Sequence, residues 1–114
     1  MAVRKEYLAE LEKLKMDTFR MGELAKVAAE KAVNALVWHD TELASRIIEE
    51  NSIIDKLEFE IENRCMNLIA LQQPMASDLR IIGTCMKIIT DFDRISDLAG
   101  ILRRLCCGLR MNRT

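Results

Sequence analysis

Apolar residues recur along this chain at helical spacing, in three long stretches separated by two breaks. The first stretch carries one apolar stripe that becomes alanine-rich toward its end: Tyr7, Leu11, Leu14, Thr18, Met21, Ala25, Ala28, Ala32 and Ala35. The second stretch repeats apolar residues every seven positions, with leucine at the interleaved position: Ile47, Ile54, Ile61 and Leu68, then Leu57 and Leu71. A heptad of this kind forms the packing seam of a helical bundle.

The two breaks place the ends of the predicted helices. In "VWHDT", residues 37–41, Asp40 is a candidate N-cap, and in "LQQPMASD", residues 71–78, Pro74 suits a first helical turn. Short connections favour antiparallel neighbours. We therefore predict an all-α, antiparallel up-down-up bundle of three helices, similar to a spectrin repeat, within a single domain 1–114. The predicted helices are 4–38, 41–72 and 75–107.

The third stretch has an apolar stripe that runs its whole length: Ile81, Cys85, Ile88, Phe92, Ile95, Ala99 and Leu102. A second stripe beside it begins with Leu79, Ile82, Met86 and Ile89. Helical rotation continues that second stripe through Asp93 and Asp97, so a hydrophobic face turns acidic halfway along.

Asp93 and Asp97 are four residues apart, which brings their carboxylates close enough to repel unless a cation lies nearby. A divalent metal ion would use such a pair, because hard cations take oxygen ligands. Two other acidic pairs have the same spacing: Glu6 with Glu10, and Glu58 with Glu62. Surface charge, with Arg104 neutralising Asp97, is therefore the alternative interpretation, and the remaining acids are expected at the surface.

Composition and net charge favour a helical fold and argue against nucleic-acid binding. Hydrophobic residues make up 50% of the chain and aromatics 4%, which favours helices over sheets. A net charge of −1 gives no electrostatic footprint for nucleic acid, even with four arginines near the end.

No stretch suits a membrane span or a signal peptide, which favours a cytoplasmic location. The four cysteines lack metal-site spacing and are interpreted as reduced thiols: Cys65, Cys85, Cys106 and Cys107.

No enzyme signature is evident in the sequence. The single histidine, His39, falls in a predicted loop, and no serine or cysteine has an evident base partner. A di-iron carboxylate enzyme would need Glu-x-x-His pairs on its helices, which one loop histidine cannot supply. We therefore expect no catalytic residues.

Residues 53–99 resemble the PhoU family of phosphate-uptake regulators. The resemblance rests on the "LIALQQPMASDLR" elbow and on the pattern K-I-x-x-D-x-x-R-I-x-D that follows it. The upstream segment "MGELAKVAAEKAVNALVWHDTELASRIIEE" resembles the first helix and turn of that family. The resemblance implies metal-binding E/D-x-x-x-D motifs, matched here by Asp93 and Asp97 in the third helix.

The second-helix counterpart of that motif is Asn51 with Asp55. Asn51 can ligate through its carbonyl oxygen but adds no negative charge. The resemblance thus implies an ion or cluster of iron, zinc or manganese at Asp93, Asp97, Asp55 and Asn51.

Family members carry two three-helix repeats, whereas this sequence shows one. We expect either a one-repeat protein that pairs as a homodimer or a piece of a longer protein. The implied function is a cytoplasmic adaptor that links the ATPase subunit of a phosphate ABC transporter to a sensor histidine kinase and damps phosphate-starvation signalling. The alternative is a metal-binding or purely structural dimerising bundle without a signalling role.

Overall fold

The computed structural model describes the backbone of residues 2–72 and 76–111, and the side chains of residues 5–70 and 77–105. It contains three helices: α1 (Ala2–Trp38), α2 (Thr41–Gln72) and α3 (Ala76–Met111). They form a rod with extents of 66 × 19 × 16 Å. The predicted all-α class is confirmed, and α3 ends at Met111 instead of residue 107. The prediction for Pro74 lies outside the described residues.

Side-chain contacts between distant parts of the chain fix the helix directions. Near the start of α1, the Tyr7 hydroxyl donates a 3.1 Å hydrogen bond to the Asp78 carboxylate near the start of α3. From the second half of α2, Arg64 reaches back to Asp17 in the first half of α1. Helices α1 and α3 are therefore parallel to each other and antiparallel to α2, as predicted.

The connection between α1 and α2 is a tight turn. His39 adopts a left-handed conformation with φ of 54°, a position that commonly ends a helix. The backbone N–H of Asp40 donates to the Ala35 carbonyl at 3.0 Å. The Asp40 carboxylate then accepts a 3.1 Å hydrogen bond from the N–H of Leu43, which confirms its predicted role as N-cap of α2.

The core follows the stripes predicted for the first two helices. Every member of the α1 stripe is buried, as are Ile47, Ile54, Leu57, Ile61 and Leu68 of α2. The predicted position of Leu71 lies outside the described side chains. The alanines of α1 let its neighbours approach closely along its second half, because they fill little space.

The two described cysteines, Cys65 and Cys85, are buried and unbonded. Burial, with a smaller contribution from the neighbouring Cys85, raises the pKa of the Cys65 thiol to about 11. This thiol is therefore held in its neutral, unreactive form. The predictions for Cys106 and Cys107 fall on side chains outside the described residues.

The buried face of α3 differs from the predicted stripe. Ile95 was expected in the core but is 39% exposed, whereas Ser96 is 2% exposed. The buried row begins at Ile82 and Ile89, and the next position seven residues on is Ser96. A serine can occupy a core position when its hydroxyl is hydrogen-bonded. The pattern of apolar residues alone therefore does not identify which face of α3 is buried.

Candidate acidic site between the second and third helices

Five carboxylates of α2 and α3 lie within electrostatic range of Glu58 or are Glu58 itself, and we call this set the acidic groove. Spacing of three and four residues puts the α2 members on one face of that helix. The α3 members are the predicted pair. The acidic groove comprises Asp55, Glu58 and Glu62 of α2 with Asp93 and Asp97 of α3.

Glu58 has the most perturbed carboxyl in the groove. Its side chain is half-buried, and its pKa is raised from 4.5 to about 7. Burial is the largest cause, followed by the negative charge of Asp93 and then of the other three members. Near neutral pH, the Glu58 carboxyl is therefore partly protonated instead of fully ionised.

Asp93 of α3 is the charged group that raises the pKa of Glu58 most, and it is also half-buried. Its pKa is raised, mainly by burial and then by the negative charges of Asp97 and Asp55. A side-chain hydrogen bond with Asp55 acts in the same direction. Three of the four predicted ligands, Asp55, Asp93 and Asp97, therefore lie near enough to affect the pKa of Asp93, without being placed to hold one metal ion together.

Positive charge within the described residues does not balance the acidic groove. No ion pair joins any of its five carboxylates to a lysine or arginine there. The alternative in which Arg104 neutralises Asp97 is therefore not seen. Arg94, next to Asp93 in sequence, pairs with Asp91 at 3.7 Å instead.

Asn51, the fourth predicted ligand, is engaged with the backbone and side chain of α3. Its Oδ1 accepts a 2.8 Å hydrogen bond from the Ser96 hydroxyl, and its Nδ2 donates at 3.4 Å to the Ser96 carbonyl. A carboxylate at position 51 would face that carbonyl without a proton to donate. This contact explains why an amide suits the position in this chain.

Sequence reasoning missed two members of the groove, Glu58 and Glu62. Both were expected at the surface, and Glu62 is exposed, but Glu58 is half-buried against α3. The available signal was the spacing of Asp55, Glu58 and Glu62 at i, i+3 and i+7, which places all three on one helix face. Spacing of i,i+4 alone links only Glu58 with Glu62 and leaves Asp55 out of the pattern.

The groove is a set of oxygen donors held at high negative charge density. Within the described part of the chain, no three His, Cys, Asp or Glu side chains are placed to hold one metal ion together. A cation entering the groove would have to draw the carboxylates together by side-chain rotation.

Among the described residues, no helix has the length and apolar character that a membrane span requires.

Comparisons with known proteins identify what this bundle is similar to. The sequence model of the PhoU domain family matches residues 18–101. A phosphate-specific transport system accessory protein PhoU homolog from Aquifex aeolicus is 43% identical over 90 residues, which are 79% of this chain and 41% of that protein. The phosphate-specific transport system accessory protein PhoU of Escherichia coli is 34% identical over 94 residues, covering 82% of this chain and 39% of that protein.

A solved structure agrees with the sequence comparisons. The crystal structure of PhoU from Pseudomonas aeruginosa matches with a TM-score of 0.87 and 36% identity, over 90% of this chain and 49% of that one. The chain thus spans about two fifths of the length of these curated relatives and about half of the solved chain.

Proposed function

The chain belongs to the PhoU family, and from that premise we propose that it is a non-enzymatic accessory protein of a phosphate-specific transport system. The observation that carries this proposal is the match to the PhoU domain over residues 18–101. It is supported by relatives whose names state a phosphate-transport accessory role.

The proposed mechanism is that of an adaptor in the cytoplasm. The bundle offers long helical faces to the ATPase subunit of the transporter and to a sensor histidine kinase. Binding that favours one state of the kinase shifts its population, and the shift is limited by the difference in affinity for the two states. When phosphate is sufficient, this coupling damps starvation signalling.

A metal ion at the acidic groove is part of the proposal, and the donor chemistry fits it. Within the described residues, no lysine or arginine forms an ion pair with these carboxylates. Glu58 and Asp93 have raised pKa values, first because they are half-buried and second because like charges lie nearby. A divalent ion of iron, zinc or manganese would relieve that repulsion. We propose Asp55, Glu58, Asp93 and Asp97 as the ligands. Asn51 stays a predicted ligand, although its Oδ1 already accepts the Ser96 hydrogen bond.

Metal content tests the groove directly. Protein purified without a histidine tag or chelator is analysed for iron, zinc and manganese beside the variant Asp93→Asn/Asp97→Asn. The matched control is Glu6→Gln/Glu10→Gln, which removes an acidic pair of the same spacing from α1. Metal that is lost only from the groove variant supports the proposal. Metal-free wild-type protein after incubation with each ion, or equal loss in the control, contradicts it.

The accessory role is tested in bacteria that lack their own PhoU protein. A phosphate-starvation reporter should be repressed in rich phosphate when this chain is supplied, and pull-downs should recover the transporter ATPase subunit and the sensor kinase. Repression with recovery of both partners supports the adaptor. A soluble, folded chain that neither represses the reporter nor recovers a partner favours the alternative of a structural bundle without a signalling role.

A further inference from the structure

Two cysteines of adjacent helices lie in the same part of the core. Cys65 of α2 is 0% exposed and Cys85 of α3 is 6% exposed, and both belong to one cluster of packed core residues. Neither is bonded to another cysteine. The acidic groove uses neither of them, so a pair of thiols in the core is left without an assigned role.

The parallel packing of α1 and α3 fixes the level of Cys85 along the rod. Tyr7 of α1 is hydrogen-bonded to Asp78 of α3. Seven residues further along these two helices are Leu14 and Cys85, both of which are buried. Parallel helices advance by the same rise per residue, so Cys85 lies at about the level of Leu14.

A contact of α2 with α1 places Cys65 close to the same level. Arg64, which precedes Cys65, contacts Asp17 of α1. Asp17 is three residues from Leu14, which is less than one helical turn. The two cysteines therefore belong to neighbouring layers, or to one layer, of the contact between α2 and α3.

Electrostatics agrees with this placement. After burial, the Cys85 thiol is the group that raises the pKa of Cys65 most. Two thiols affect each other in this way only at short range within the core. Geometry and charge thus indicate that a modest approach of the two sulfur atoms would join them, since a disulfide bridges cysteines on neighbouring elements whose Cα atoms are about 4.4–6.8 Å apart.

A small-molecule disulfide such as oxidised glutathione supplies the chemistry. The thiolate of one cysteine attacks it, releases one glutathione and forms a mixed disulfide. The second cysteine then attacks the protein sulfur of that mixed disulfide and releases the second glutathione. One S–S bond breaks and one forms, two electrons pass from the protein to glutathione, and the two thiol protons end on the released glutathione molecules.

The exchange requires α3 to separate from α2 first. While the bundle is closed, both cysteines are buried, and the pKa of about 11 keeps Cys65 protonated and unreactive. Local opening, which folded proteins undergo without complete unfolding, exposes both thiols to solvent. The disulfide therefore forms in molecules that have opened, and it holds the two helices together once they close.

We propose that Cys65 and Cys85 form a reversible disulfide lock between α2 and α3, closed by exchange with small-molecule disulfides and opened by thiol reductants. The inference is independent of the proposed transport role. The lock limits how far apart the helices of the acidic groove can move, because Glu62 lies about one turn before Cys65. Closing the loop of residues 65–85 should lower the equilibrium constant for unfolding about a hundredfold.

Peptide mapping after exchange tests the lock. The variant Cys106→Ser/Cys107→Ser, which keeps Cys65 and Cys85, is incubated with oxidised glutathione, and the remaining thiols are then alkylated. The matched control adds Cys85→Ala and Ser96→Cys, which moves the buried thiol of α3 eleven residues, about 16 Å, along the helix. That distance is too long for a disulfide with Cys65, so the control should acquire glutathione adducts instead.

Trypsin separates the two cysteines of the lock. It cuts after Arg64, Arg80 and Lys87, which leaves one cysteine in peptide 65–80 and the other in peptide 81–87. We expect these peptides to be joined within hours and released by dithiothreitol. Urea denaturation of the cross-linked and reduced forms should then show the expected hundredfold difference in the unfolding equilibrium constant.

Four results would overturn the proposal. The first is joined peptides that are no more abundant than the corresponding product of the control. The second is glutathione adducts on Cys65 or Cys85 without a disulfide between them. The third is cross-linked protein that is no more stable than the reduced form. The fourth is thiols that stay unreacted for a day in about 2 M urea, where the open population is raised.

Discussion

The Ser96 hydroxyl donates a 2.8 Å hydrogen bond to Oδ1 of Asn51, which joins α3 to α2 across 45 residues of sequence. The Asn51 amide returns a longer bond of 3.4 Å to the Ser96 carbonyl. Ser96 is almost fully buried, so this polar pair replaces an apolar contact at the level where the bundle borders the acidic groove. A buried donor and acceptor that satisfy each other fix one helix register.

Removing the Ser96 hydroxyl should therefore destabilise the bundle. Ser96→Ala leaves the Asn51 Oδ1 without its donor, and we expect the free energy of unfolding to fall by about 1–2 kcal/mol. Urea denaturation followed by circular dichroism measures it. The matched control is Ser52→Ala at an exposed position of α2, where the change should stay within about 0.5 kcal/mol. Equal effects at the two serines would show that the hydrogen bond contributes nothing measurable.

Sequence alone predicted much of this fold, because the heptad of α2 and the alanine-rich stripe of α1 have a clear period. The prediction was wrong in part of α3, where a polar residue lies in the core. Ser96 is buried there, and Ile95, a member of the predicted apolar stripe, is exposed. For the site, sequence pointed to three acidic members of the groove. It did not reveal Glu58, because its burial depends on how closely α3 packs against α2.

Gly22 and Gly83 should respond oppositely to the same substitution. A Cβ at Gly22 would lie 2.7 Å from Cζ of the Phe92 ring, whereas nothing lies within 4 Å of a Cβ at Gly83. Gly22→Ala should lower the free energy of unfolding by about 1–3 kcal/mol through overpacking. Gly83→Ala should raise it by about 0.5–1 kcal/mol, because alanine favours a helix. Thermal and urea denaturation of the two variants measure both signs.

The Gly22 effect should depend on the Phe92 ring. In the background Phe92→Leu, which replaces the ring with a smaller side chain, adding Gly22→Ala should cost at least 1 kcal/mol less than in the wild-type background. Additive effects of the two substitutions would mean that the ring is not the source of the clash.

Glu58 should make the metal-free protein less stable as the pH rises from about 4.5 to about 7. Its folded pKa of about 7 lies above the ordinary 4.5, so in this window the folded state holds a proton that the unfolded state has lost. The free energy of unfolding therefore decreases with rising pH over that range. Glu58→Gln removes this contribution, and we expect the variant to gain about 1–2 kcal/mol at pH 8, allowing for solvent screening.

Urea denaturation at a series of pH values in the presence of a chelator provides the measurement. Glu60→Gln, at an exposed glutamate of α2 outside the acidic groove, is the control and should keep the pH dependence of the wild type. If Glu58→Gln shows the wild-type slope between pH 5 and pH 7, then the Glu58 carboxyl is ordinary and the crowding in the groove is relieved by other means.

Arg64 should stabilise the contact between α1 and α2 through two carboxylates. Its Nη1 lies 2.5 Å from Asp17 Oδ2, and its Nε lies 3.5 Å from Glu10 Oε2. Both Arg64 and Asp17 are about four fifths buried, so solvent screens this pair less than a surface pair. Arg64→Ala should lower the free energy of unfolding by about 1–3 kcal/mol, and Arg64→Lys by less, because lysine lacks the fork that reaches two acceptors.

A double-mutant cycle with Asp17→Asn isolates the Arg64 to Asp17 interaction, and we expect a coupling of about 1 kcal/mol or more. The exposed pair of Lys15 with Glu12, 3.3 Å apart, serves for comparison and should couple by less than about 0.5 kcal/mol. The difference should persist in about 0.5 M salt, because screening acts mainly on the exposed pair. Equal coupling in the two pairs would mean that burial of Arg64 does not strengthen its contact with Asp17.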